Sequence, residues 1–109
     1  MEALIFDEVD TGVSGIAAQR VAEKLAKLAV NKQVLCVTHL PQIAAMAENQ
    51  YLVEKNERNG RTYTDIRSLD REGRRRELAR LSGGEDVTDT MLAGAEELLS
   101  KADAYRASL

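Results

Sequence analysis

The sequence predicts an α/β fold: parallel strands flanked by helices, followed by a C-terminal hairpin and further helices. Three observations predict it. Residues 3–6 (ALIF) form an uninterrupted apolar run, residues 34–37 (VLCV) form a second, and the segment between them carries apolar residues at helical spacing. A strand, helix, strand order of this kind all but fixes a right-handed crossover and a parallel pair.

The first run has no polar alternation, so it reads as a strand buried on both faces of a parallel sheet. The rest of the chain is organised around it, because Asp7 and Glu8 fall where that strand emerges. In an open α/β sheet, ligands bind outside the carboxyl ends of the strands. An Asp at position 7 has the geometry to hold the water shell of a nucleotide-bound Mg2+, an ion that wants hard oxygen ligands and keeps several of its waters. Glu8, one residue on, points elsewhere and can take a proton from an attacking water. Taken alone, the pair fits equally well two acids that cap a strand and begin a turn.

The first helix is expected from an N-cap at Ser14 to about Val30. Ala18, Val21, Ala22, Leu25, Leu28 and Ala29 form its inward stripe, and Asn31 is its left-handed terminus. The second strand ends in Thr38-His39-Leu40-Pro41 and opens a helix from Pro41 to about Glu48, with proline in the first turn, where its missing N–H costs nothing. Ile43, Ala44, Met46 and Ala47 are the core side of that helix. Two adjacent strands thus deliver Asp7, Glu8 and His39, the only histidine, to one edge of one sheet. A third strand begins at Tyr51, residues 54–60 (EKNERNG) supply a turn, and residues 62–66 return. From Asp70 a charged helix follows, with Leu78 and Leu81 on its apolar side and Arg74, Arg75 and Arg76 on its wet face. Gly83 and Gly84 read as its terminus and turn. Thr88 or Asp89 caps a last helix buried through Met91, Leu92, Ala95, Leu98, Leu99 and Ala102, and residues 104–109 are expected to fray.

Length and composition narrow the function classes. A chain of 109 residues is at most one small domain, expected to bury roughly 60–68% of its unfolded surface. With 15 Lys and Arg against 18 Asp and Glu there is no general basic field for nucleic acid, and one Phe, three Tyr and no Trp argue against a base-stacking platform. The single cysteine, Cys36, sits in the second apolar run as a small hydrophobe and makes neither a disulfide nor a zinc knuckle. No apolar run is long enough to span a bilayer. Because the core strand begins almost at the first residue, the sequence looks like a piece of something larger.

Three stretches, FDEVDTGVSGIAAQ (residues 6–19), VTHLPQIAAMA (residues 37–47) and the tail of residues 76–99, together resemble the bacterial SMC-like DNA-repair ATPases of the ATP-binding-cassette superfamily. The resemblance covers nearly the whole chain. It implies a partial P-loop NTPase fold, with residues 1–109 as one domain, the C-terminal lobe of an ATPase head. Asp7 would be the Walker B metal residue and Glu8 the catalytic glutamate. Ser14 and Gly15 would lie in the D-loop facing a partner head, and His39 would be the switch histidine that contacts the γ-phosphate and helps place the water. ATP and Mg2+ would be the cofactors of the intact head. Its partners would be the N-terminal lobe carrying Walker A and the signature, a second head across the sandwiched ATP, and DNA through the parent protein, with no membrane. The setting would be cytoplasmic and nucleoid-associated, in double-strand-break repair and recombination.

Departures from the family pattern matter as much. No GxxxxGK[ST] occurs, so the β- and γ-phosphates have neither a cradling loop nor a lysine here, and the chain alone is expected neither to hold ATP tightly nor to turn it over. Residues 81–85 spell LSGGE like the signature, which in that family precedes Walker B and leads a helix; here the letters come long after it. Two rivals remain. DEVD also spells the Walker B of superfamily-two helicases, which a THLPQ switch does not fit, and a non-catalytic binding or assembly module could keep the fold without the nucleotide.

Overall fold

The computed structural model describes residues 3–7 and 15–109. In chain order the elements are β1 (Ala3–Asp7), α1 (Gly15–Ala29), β2 (Gln33–Val37), α2 (Pro41–Met46), β3 (Tyr51–Arg58), β4 (Arg61–Ser68), α3 (Arg71–Gly83) and α4 (Asp89–Ala107). β1 and β2 pair in parallel, from Ala3 opposite Gln33 to Asp7 opposite Val37, as the apolar runs and the helix between them require. β3 and β4 form a separate antiparallel ribbon.

The expectation that β1 is buried on both faces does not hold. Leu4 and Phe6 are half-buried, as are Val34 and Cys36 on β2, while Ile5 is 74% exposed and Leu35 and Val37 are more than half exposed. Side chains alternate between the two faces of a strand. Among the described residues, only one face of this two-stranded sheet is covered.

The packed core lies among the helices, and α2 is at its centre, touching α1, α3 and α4. Ile43, Ala44, Ala45 and Met46 are buried one after another, so this short helix is enclosed on every side. The buried residues on the other helices are mostly alanines: Ala18, Ala22 and Ala26 from α1, Ala79 from α3, and Ala95 and Ala102 from α4, with Leu78 and Leu99 as the two large side chains fully out of water. Larger, partly buried side chains such as Leu25, Leu81 and Leu98 pack against this cluster. Small residues let the helix axes approach closely. Packing is therefore organised around α2 rather than around the first strand.

Several boundaries and faces depart from the sequence reading. The buried row of α1 is Ala18, Ala22 and Ala26, an i, i+4 series, whereas Leu28 and Ala29 are exposed in the last turn. Asn31 is not left-handed; the helix end closes instead through Val30 N–H to Lys27, and Asn31 and Lys32 N–H to Leu28, which satisfy the last carbonyls without a positive φ. α2 stops at Met46 because Ala47 turns extended. The charged residues 54–58 are strand, not turn: the turn is Asn59-Gly60 alone, with φ of 51° and 75°, the positive pair a two-residue hairpin demands. Gly83 ends α3 and Gly84 takes φ 91°, as read, and Thr88 accepts the N-cap hydrogen bond from Met91 N–H at 3.2 Å. Residues 104–107 do not fray; they remain helical, with Tyr105 and Arg106 half-buried.

Candidate functional site

The parallel register sets the candidate site. Asp7 closes β1 directly opposite Val37, the last residue of β2, and Thr38, His39 and Leu40 follow at once. The end of β1 and the turn carrying His39 therefore lie at the same, carboxyl edge of the sheet. The turn is short and held from within: Leu40 N–H donates to Thr38 Oγ1 at 3.0 Å, and Pro41 then starts α2. His39 is exposed at this edge. Gly15 opens α1 with φ +49°, exposed, and no described residue lies within 4 Å of the position a Cβ would occupy. Glu8 and Ser14 lie outside the described residues, and Asp7 is described through its backbone alone. A single carboxylate at a strand end is the donor set that suits Mg2+, which binds through one or two carboxylates and retains its waters. Among the described residues no three His, Cys, Asp or Glu side chains gather as a transition-metal site would need.

The structure adds residues that sequence reasoning missed. Arg74 is not on the wet face of α3: only 7% of it is exposed, and it reaches into the carbonyl end of α2. Its Nη2 donates to the backbone oxygens of Ala47 at 2.8 Å and of Ala44 and Ala45 at 3.3 Å, and its Nε donates to Gln50 Oε1 at 3.2 Å. Arg106, near the end of α4, brings its Nη1 to Met46 O at 2.8 Å and Ala47 O at 2.7 Å. Four consecutive carbonyls, those of residues 44–47, are thus occupied by two guanidinium groups. Cations at a helix C-terminus also meet the negative end of its dipole. Burial and the neighbouring Arg106 charge push the Arg74 pKa down, while Asp103 acts the other way. The signal was in the sequence: Arg74, Leu78 and Leu81 stand at i, i+4 and i+7, on one stripe.

A second layer of charge fastens these arginines. Arg71 donates to Asp103 at 2.8 Å and to Glu96 at 2.9 Å, and Asp103 also pairs with Arg106. Hydrogen bonds from Arg71 hold both carboxyls below their usual range. The LSGGE stretch is placed differently from a signature. Ser82 Oγ donates back to Leu78 O at 2.9 Å, inside its own helix, and Gly83 and Gly84 form the carbonyl end of α3, not an amide-bearing start.

This α/β arrangement matches part of an SMC-like ATPase-type fold. Over 78% of this chain it matches half of a solved chain from work on the ATP-driven dimerization and DNA stimulated activation of SMC ATPases, with a TM-score of 0.61 and 19% sequence identity. By sequence, the chain matches the bacterial DNA repair protein RecN at high identity over most of its length. It is 48% identical over 101 residues to RecN of Bacillus subtilis, 52% over 97 residues to that of Vibrio cholerae, and 48% over 102 residues to that of Streptomyces coelicolor. These alignments take in 93%, 89% and 94% of this chain, which spans 18% of the length of each of these relatives. No protein-family model matches the chain.

Proposed function

We propose that this chain is the C-terminal part of an SMC-like ATPase head of the RecN type, acting in DNA double-strand-break repair in the cytoplasm beside the chromosome. The observation that carries the reading is the parallel register, which sets the end of β1 at Asp7 beside the turn bearing His39, in a chain about half identical to RecN over most of its length. Asp7 would hold Mg2+ through its water shell, and Mg2+ when bound would neutralise phosphate charge. Glu8, directly after the strand, would accept the proton of the attacking water. His39 would steady the γ-phosphate from the neighbouring strand end, and Ser14 and Gly15 would face a second head. The phosphate-cradling loop would come from the N-terminal lobe, and ATP would join two heads, in keeping with the ATP-driven dimerization attributed to the structural relative.

The test is made in the full-length protein. Glu8→Gln keeps the size and hydrogen-bonding reach but cannot take up a proton. ATP and Mg2+ should still bind, while single-turnover hydrolysis falls by roughly 10²- to 10⁴-fold, the usual contribution of a general base. Asp7→Asn should weaken Mg-ATP binding and turnover together. Parental hydrolysis by the Glu8 variant would leave Glu8 a strand-end acid and place the general base elsewhere, whereas an intact protein that neither binds nor hydrolyses ATP would favour an assembly module without nucleotide chemistry.

A further inference from the structure

We infer that Arg74 and Arg106 are positioning residues for His39, acting through α2, an inference that rests on the reading of His39 given above. α2 has six residues, too few to be stable alone, since one and a half turns barely repay helix nucleation. Its N-terminal side has no side-chain cap. What fixes it in place is packing by α1, α3 and α4, together with the two guanidinium groups that occupy the carbonyls of residues 44–47. The His39 turn is strung between β2, which the parallel register fixes, and α2, which the arginines fix. Only Leu40 separates His39 from the first residue of α2, so a shift or tilt of that helix moves the histidine with it. Both arginines belong to the last two helices, and Arg71, Asp103 and Glu96 tie those helices to each other. Helices α3 and α4 are thereby coupled to the sheet edge although they contribute no group to it. An arginine suits the task because its planar fork reaches several carbonyls at once, whereas a lysine at Arg74 would offer a single ammonium to three separated backbone oxygens.

The experiment is a double-mutant cycle in the full-length protein between His39→Ala and each of Arg74→Lys and Arg106→Met, with ATP binding, single-turnover hydrolysis and thermal melting measured on every variant. Arg106 is the more exposed of the two, so its variant serves if Arg74→Lys does not fold. Each arginine variant alone should slow hydrolysis by about three- to tenfold with ATP affinity held within about twofold, and should slow it no further when His39 is already alanine. Equal slowing in both backgrounds would mark the arginines as general supports of the fold and overturn the positioning role, as would parental hydrolysis in both arginine variants. If His39→Ala alone hydrolyses at the parental rate, the assignment of His39 itself fails, an outcome distinct from additivity between a slow His39 variant and the arginine changes.

Discussion

Leu78 and Leu99 are fully buried, in a core whose other buried residues are mostly alanine. Large side chains are few among the fully buried residues, so each carries a large share of that burial. Leu78→Ala or Leu99→Ala should therefore cost about 2–5 kcal/mol, the amount depending on how far the neighbouring side chains move in. Urea unfolding of the 109-residue chain gives the measurement, and a loss below about 1 kcal/mol would show that the helices close over the vacated space. Gly15 poses the opposite problem. No described residue crowds its missing Cβ, so within these residues Gly15→Ala would meet only the backbone cost of the left-handed conformation, about 1–2 kcal/mol.

Helices and strands that rest on local periodicity or local turn chemistry were readable from sequence: the β1–β2 pair, α1 and α4, the Gly83-Gly84 terminus and the Thr88 cap all follow from near neighbours. What was not readable depends on distant partners. The outer face of β1 reads as buried from its composition, yet Ile5 is exposed because no described element of this chain covers it. Arg74 reads as solvated from its charge, yet it is buried because α2, some thirty residues earlier in sequence, presents carbonyls to it. Of the candidate site, the parallel register that brings the Asp7 strand end beside the His39 turn was legible, while the packing of α3 and α4 on α2, the helix that follows that turn, was not. The joint between those two helices makes a prediction of its own. Arg71 holds Asp103 below its usual carboxyl range, first by hydrogen bonding and then by charge, so the folded chain binds fewer protons than the unfolded one. That contribution is complete above the ordinary Asp value of about 4 and is lost as pH falls through the lower folded value. Melting temperature should fall over that acidic window, and Arg71→Met should flatten the dependence while lowering stability near neutrality. An unchanged acid profile in Arg71→Met would show that other carboxylates govern it.

At the scale of the molecule, the arrangement bears on what these 109 residues can do alone if, as proposed, they are one lobe of a head. The radius of gyration is 14.6 Å, against about 13 Å for a compact chain of this length, and the excess fits the β3–β4 ribbon, whose second strand is exposed from end to end. A cleft of about 690 Å³ lies between that ribbon and α3, but its cations are matched by acids: Arg80 pairs with Glu77, Arg76 with Glu72 and Arg67 with Glu54. The glycines at residues 83–84 lie at the carbonyl end of α3, where the helix dipole repels phosphate instead of attracting it. In the proposed reading the strand end would supply a metal-binding acid, a base and a histidine, but the sequence carries no GxxxxGK[ST] loop whose amides and lysine would grip the β- and γ-phosphates. Calorimetric titration of the 109-residue chain with Mg-ATP should therefore show no binding at micromolar concentrations, and no hydrolysis should be detectable. Micromolar affinity would mean that a phosphate-binding surface exists within these residues. Gly84→Val would then tell whether LSGGE supplies it: a loss of that binding would give the stretch a phosphate-holding role despite its place at a helix end, and retention would turn attention to the sheet edge at the end of β1 and the His39 turn.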